Sequence, residues 1–112
     1  MAYDEDLADR IRQVVGGEAG VSERRMFGGH AFLIDGHLAV SASGRGGLLL
    51  RVDPADTDSH LAPPGVTRFE MRGRQPAGWL HVQPQVVRTR TQLAVWVGRG
   101  VAFARSLPPK QA

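Results

Sequence analysis

Four histidines are the side chains in this chain best suited to bind a metal ion. We expect His30, His37 and His81 to share one face of a sheet, and the fourth is His60. No two of them have the i, i+4 spacing that sets two ligands on one helix face, and no carboxylate falls predictably among them. The chain has no cysteine, which excludes thiolate ligands and disulfides. The sequence therefore predicts no metal site and no cofactor.

Serines, carboxylates and glycine-rich segments offer no catalytic arrangement. Ser41, Ser43 and Ser106 are not part of the GxSxG elbow that presents a nucleophilic serine. No two carboxylates are placed where a sheet would hold both for acid–base chemistry. The glycines at 28–29 and 44–47 match no nucleotide-binding fingerprint and are typical of turns or bulges. We therefore predict that the protein is not an enzyme.

Helices are predicted at the two ends of the chain. Residues 4–15 carry acidic side chains in the first turn and apolar side chains at helical spacing, and glycines follow at 16–17. Residues from 89 or 91 to 106 repeat apolar side chains with a period of 3.6, and prolines follow at 108–109. A chain of 112 residues with 42 % apolar side chains has room for one globular domain, which we place at 3–108.

Short apolar runs separated by turn residues predict the strands between these helices. They lie at 23–27, 30–34, 37–42, 48–52, 67–71 and 79–82. A brief helix is expected from 53 to about 61, because Asp53 suits its N-cap and Pro54 its first turn. Hairpin-linked strands form an antiparallel sheet, and the helices should cover one face of it. The predicted fold class is α+β, a two-layer sandwich with about five strands in the order α-β(3)-α-β(2)-α.

The pair Asp35-Gly36 between two apolar runs predicts a hairpin with a two-residue turn. In an unbroken register Leu33 faces Leu38 and Phe32 faces Ala39, so the two faces of the hairpin differ in polarity. The fully apolar face, which we expect to form the core, holds Ala31, Leu33, Leu38, Val40 and Ala42. The other face should stay open and bind a partner, through Phe32, Ile34, His37, Trp79 and His81. The simplest interpretation of Met26 and Phe27 is core beside a turn or bulge at Gly28 and Gly29.

Charge is distributed unevenly along the chain. Residues 1–23 hold six acids and two bases, whereas residues 24–112 hold five acids and twelve bases, and no acid follows Glu70. Such asymmetry indicates an anionic partner, although an ordinary solvated surface explains it as well. The candidates to contact an anion or nucleic acid are Arg68, Arg72, Arg74, Arg88 and Arg99. No apolar run approaches the length of a membrane span, and the acidic N-terminus lacks a signal peptide, so we expect a cytoplasmic protein without membrane contact.

Several short motifs, taken in order, resemble the N-terminal domain of the TfoX/Sxy family. They comprise Met26-Phe27-Gly28-Gly29, Ala31-Phe32, Asp35-Gly36, the strand at 48–52, the segment 73–76, Gly78-Trp79, and the closing helix with Trp96-Val97 and 102–104. The Met-Phe-Gly-Gly element is short, but its order and spacing with the later motifs make the resemblance fairly specific. It covers about residues 3–108 and implies a structural role for Met26, Phe27, Gly28 and Gly29.

The resemblance implies a fold like that of type III secretion chaperones and a regulatory function. Founding members of the family regulate natural competence genes together with a cyclic-AMP receptor protein, and they carry a second, C-terminal domain. The present sequence would be a stand-alone N-terminal domain, and the family provides no catalytic residues. Two hypotheses stay open at this point. One is a regulatory module that contacts proteins and acts at DNA, and the other is a homodimeric, chaperone-like domain that binds proteins without nucleic acid.

Overall fold

The first helix begins where the sequence provides a cap. A computed structural model describes residues 3–109, and in it α1 spans Glu5–Val15. The Asp4 side chain accepts a hydrogen bond from the Leu7 backbone N–H, which satisfies one of the free donors of the first turn. Leu7, Ile11 and Val15 are buried on one side of the helix. This helix therefore forms because a capped, acidic first turn precedes an apolar stripe.

Six strands form one antiparallel sheet in the order β1-β2-β3-β4-β6-β5. Four of them precede the irregular middle of the chain and two follow it, so the sheet has six strands rather than about five. Their bounds are Val21–Met26 for β1, Gly29–Ile34 for β2, His37–Ala42 for β3, Leu48–Arg51 for β4, Val66–Arg68 for β5 and Trp79–Val82 for β6. The α+β class and the antiparallel, open sheet are confirmed. In residues 3–109, no helix is long and apolar enough to cross a membrane.

The expected helix after β4 is replaced by two short 3₁₀ turns, at Pro54–Asp56 and Asp58–His60. A third 3₁₀ turn, Pro84–Val87, leads into α2, which spans Arg90–Ser106. Thr89 caps α2 in a capping box, because its side chain accepts from the Gln92 N–H while the Gln92 side chain accepts from the Thr89 N–H. Both helices pack on the same face of the sheet, which we call the helix face, and the uncovered side is the second face.

A β-bulge in β3 breaks the predicted register, and the predicted face is wrong for the side chains of β2 and for Leu38. Leu33 faces Leu38 as expected, but Phe32 faces Val40, so Ala39 is an extra residue on β3. Because side chains alternate along a strand, one extra residue places Leu38 and Val40 on opposite faces. Phe32 and Ile34 are 1 % exposed in the core under the helices, so their placement on an open face was wrong. Val40 and Ala42 lie in that core as predicted.

The leucines predicted for the core lie on the second face instead. Leu33 and Leu38 form a smaller apolar cluster there, separate from the core beneath the helices. Its other buried members are Ala31, Leu49 and Phe69, and Met26, Met71 and Trp79 pack against it. The domain therefore has apolar side chains on both faces of its sheet, and only one face is covered by helices.

Candidate binding face

Three two-residue turns shape the hairpins of the sheet, and each has positive φ at both positions. They are Phe27-Gly28 between β1 and β2, Asp35-Gly36 between β2 and β3, and Arg72-Gly73 between β5 and β6. Aspartate suits this conformation, whereas a bulky aromatic residue there is strained. Phe27 adopts φ of 55° and is 42 % exposed, so the interpretation of Phe27 as a core residue was wrong. The Phe27-Gly28 turn therefore holds Phe27 in an unfavourable backbone conformation while its aromatic ring is exposed to solvent.

The glycine after this turn is required by a close approach of two strands. A Cβ atom on Gly29 would collide with the backbone carbonyl oxygen of Ala42 on β3. Gly28 supplies the positive φ of the turn, so the two glycines serve different purposes. Gly28 therefore lies in a turn, as predicted, whereas Gly29 is already the first residue of β2.

Three aromatic rings meet on the second face. Phe27 contacts the ring of Trp79 edge to face, with the centroids 5.6 Å apart, and Phe69 lies 6.4 Å from the same ring. Trp79 is partly buried, whereas Phe69 is 4 % exposed. The exposed part of this aromatic cluster is therefore formed by Phe27 and Trp79.

Arginines cover the flanks of the same cluster. The guanidinium carbon of Arg45 lies 4.9 Å from the Phe69 ring centroid, and that of Arg51 lies 5.6 Å from the Trp79 centroid. Arg24 sits opposite Ala31 in the β1–β2 register, which turns its side chain to the second face. Arg24, Arg45 and Arg51 make no ion pair with any residue in 3–109. The second face therefore combines accessible aromatic rings with cations whose charge is not neutralised by this chain.

The histidines expected to lie together are divided between the two faces. His37 faces Ile34 and hydrogen-bonds through Nε2 to the Pro108 carbonyl at 2.6 Å, which places it beside the end of α2. His30 contacts Glu23 at 2.7 Å on the helix face. His81 alone lies on the second face, where its Nε2 is 2.7 Å from the Gly46 carbonyl. No group of three or more candidate ligands in residues 3–109 is arranged to hold a metal ion.

The arginines proposed to contact an anion are not brought together either. Arg68 is neutralised by Asp58, with the nitrogen and oxygen 2.7 Å apart. Arg72 and Arg74 are exposed in the connection between β5 and β6. Arg88 and Arg99 belong to the helix layer, and about ten helical residues between them correspond to roughly 15 Å along the helix. The five residues therefore do not form a single patch.

With the geometry of the face defined, comparison with known families gives a clear result. The family model of the TfoX N-terminal domain matches residues 13–104. The chain belongs to the TfoX N-terminal domain family. The match includes all six strands of this TfoX N-terminal domain, most of α2 and the C-terminal end of α1. No curated protein matches the chain.

Much of the acidic charge of this TfoX N-terminal domain is used inside the domain. Glu23 accepts two hydrogen bonds from the Arg12 guanidinium, at 2.8 and 2.7 Å, which joins edge strand β1 to α1. These bonds, reinforced by His30, lower the pKa of the Glu23 carboxyl to about 2. Glu18 similarly pairs with Arg105 at 2.9 Å. The acids near the N-terminus therefore neutralise arginines of the helix layer and leave those of the second face uncompensated.

Sequence reasoning missed Phe27 and Arg45 as members of the binding face. One feature of the sequence does mark Phe27, because a residue before glycine in a two-residue hairpin turn adopts positive φ and points outward. Nothing comparable marks Arg45, which reaches the Phe69 ring from the turn before β4. Trp79 and His81 do lie on the uncovered side of the sheet, as the alternation of β6 predicts.

Proposed function

We propose that this TfoX N-terminal domain is a non-enzymatic regulatory module that binds another protein through its second face. The observation that carries the proposal is the Phe27 ring, which is 42 % exposed on a strained turn. Strain of this kind costs on the order of 1–3 kcal/mol and is found where a side chain has a task beyond folding. An exposed aromatic ring beside Trp79 is typical of the anchor residues of protein interfaces.

Family membership directs the regulatory part of the proposal. The TfoX N-terminal domain resemblance implies a role in transcription regulation and natural competence. We propose the same class of role for this chain, exerted through a partner protein in the cytoplasm. The arginines around the aromatic rings favour a partner whose contacting surface is acidic, because opposite potentials increase association rate and specificity.

Affinity capture from extract of the native cells tests this proposal when it is run with matched variants. The baits are the wild-type domain, Phe27→Asn, and Arg90→Gln as a control on exposed helix α2. We expect wild type and Arg90→Gln to retain the same protein after nuclease treatment, and Phe27→Asn to lose it. Retention of that protein by Phe27→Asn would remove the second face from the proposal.

A second candidate function is contact with nucleic acid through the same face. It is favoured by one observation, the aromatic rings of Phe27 and Trp79 next to Arg24, Arg45 and Arg51, since rings and guanidinium groups together suit bases and phosphates. Binding of a duplex or a single strand that weakens steeply between about 50 and 200 mM salt would support it. No binding at low salt would leave the protein partner as the remaining candidate.

A further inference from the structure

A cleft on the helix layer carries opposite charges that do not pair with each other. Its volume is about 340 Å³, and it lies between α2 and the segment that follows β4. One wall carries Asp53 and Asp56 from the first 3₁₀ turn and its cap, and the other carries Arg99 from α2. Asp56 and Arg99 form no ion pair within residues 3–109, although both line this cleft.

The charged groups of Asp56 and Arg99 also lack hydrogen bonds to other side chains or to the backbone in residues 3–109. Within the described part of the chain, neither the Asp56 carboxylate nor the Arg99 guanidinium makes a side-chain hydrogen bond, whereas Asp53 already accepts one from the Ala55 N–H at 2.9 Å. Arg99 is held over the Trp96 ring, with its guanidinium carbon 4.4 Å from the centroid. The ring contact favours this position of the guanidinium, and within residues 3–109 its five donors have no hydrogen-bond partner.

His60 lines the same cleft as Asp56 and Arg99. Burial lowers the pKa of His60, the charge of Arg99 lowers it further, and the charge of Asp56 opposes them. The His60 ring also packs against Trp96, with centroids 6.1 Å apart. The carboxylates of Asp53 and Asp56 and the guanidinium of Arg99 therefore stand on different walls of the cleft that His60 also lines.

We propose that this cleft binds a small zwitterion, an α-amino acid with an apolar side chain. Its carboxylate would meet Arg99 and its ammonium group would meet Asp56, so that each charge of the ligand faces an unpaired opposite charge of the cleft. Val52, Ala102 and Phe103 supply an apolar surface for the side chain. The volume lies within the range of small-molecule sites and exceeds that of a single amino acid. Arg51 packs on both the Phe103 ring of the cleft, at 5.4 Å, and the Trp79 ring of the second face, at 5.6 Å. Neither anchor of the ligand belongs to the second face, so failure of this site would leave the proposed function untouched.

Titration of the full chain with L-leucine, followed by backbone amide NMR, tests this site. We expect saturable shifts at residues lining the cleft, on both the 52–60 segment and α2, and none on the second face. N-acetyl-leucine lacks the ammonium charge and leucinamide lacks the carboxylate, so each should bind about tenfold more weakly, because a charged hydrogen bond is lost. Equal binding of all three compounds, or no shift at millimolar leucine, would overturn the proposal.

Variants of the two anchors separate charge recognition from apolar contact. Asp56→Asn and Arg99→Gln change exposed side chains, so both should fold as wild type does. Each should weaken leucine binding about tenfold, whereas Arg90→Gln, an exposed arginine at the start of α2, should leave it unchanged. The pattern should also be specific, with Asp56→Asn reducing the advantage of leucine over N-acetyl-leucine and Arg99→Gln reducing its advantage over leucinamide. Unchanged affinities in both anchor variants would contradict the assignment.

Discussion

The ring of Phe27, at the tip of the β1–β2 hairpin, meets the ring of Trp79 from β6 edge to face at 5.6 Å. The two residues come from opposite halves of the chain, and β2, β3 and β4 lie between their strands in the sheet. Phe27 therefore reaches across the second face, although its own backbone conformation is unfavourable for phenylalanine. This pairing connects the Met-Phe-Gly-Gly motif to the surface that we propose as the binding face.

Replacing Phe27 with asparagine should separate stability from binding. Asparagine tolerates positive φ, so the substitution relieves strain, while loss of the edge-to-face contact costs about 0.5–1.5 kcal/mol. These effects oppose each other, and we expect the free energy of unfolding in urea to change by less than about 1 kcal/mol. Capture of the partner protein should be lost in the same variant.

Phe27→Ala provides the matched control, because it removes the same ring without improving the turn. Asparagine should be the more stable of the two by roughly 0.5–1 kcal/mol, the difference arising from the backbone alone. Equal stability of Phe27→Asn and Phe27→Ala would mean that the turn is not strained. Backbone strain would then no longer set Phe27 apart from other exposed side chains.

The elements of this fold are largely predictable from the sequence, but the faces of the sheet are not. Strands β3 and β6 match the predicted ranges, and α2 ends at Ser106 as expected. In β2 and β3, however, both alternating sets of side chains are mostly apolar, so alternation alone does not identify the buried set. The bulge at Ala39 then shifts part of β3 by one residue, and nothing in the local sequence marks its position.

The binding face was predictable only in part for a similar reason. Trp79 lies on an alternating strand, where period-two reasoning succeeds. Arg51 lies beside Trp79 because β4 pairs with β6, and Arg45 reaches Phe69 from the turn before β4; local patterns encode neither long-range contact. The predicted arginine patch does not form. Arg68 is ion-paired with Asp58, while the other four arginines are divided between the β5–β6 connection and the helix layer.

Two glycines of α2 should respond to alanine in opposite directions. A Cβ on Gly100 would collide with the Ala39 carbonyl oxygen and come within 2.8 Å of Leu50 Cδ1, because the helix approaches the bulge closely there. Gly100→Ala should lower the free energy of unfolding by about 1–3 kcal/mol. Gly98 has open space around it, so Gly98→Ala should raise the free energy of unfolding by about 0.4–1 kcal/mol through helix propensity. Chemical denaturation of both variants measures this, and destabilisation by Gly98→Ala would contradict the packing described.

The lowered pKa of His60 should make stability depend on pH. Burial and Arg99 make His60 harder to protonate in the folded state than in the unfolded chain. The ordinary pKa of histidine, which applies to the unfolded chain, is about 6.5. Below that pH the unfolded state binds more protons than the folded state, so the free energy of unfolding decreases. The stabilisation is complete above that pH and is lost as the pH falls toward the folded-state pKa. Urea unfolding at about pH 7.5 and 5.5 should show a smaller decrease in His60→Gln than in wild type. An equal decrease in both would rule out this contribution.

Edge strand β1 carries charges that should prevent it from pairing with a second copy of itself. Two copies of β1 that pair antiparallel are related by a two-fold axis perpendicular to the sheet. Directly opposite residues must point to the same face, so one residue lies at the axis and faces its own copy. The two registers that pair the most residues bring Glu23 against Glu23 or Arg24 against Arg24, and like charges directly opposite are destabilising.

We expect Arg24→Val to self-associate at micromolar concentration in sedimentation velocity, because valine removes the repulsion while Glu23 and Arg25 of the two copies attract. Wild type and a matched Arg90→Val control should sediment as monomers under the same conditions. A wild-type dimer would favour the homodimeric alternative, and a monomeric Arg24→Val would show that charge is not what keeps this edge unpaired.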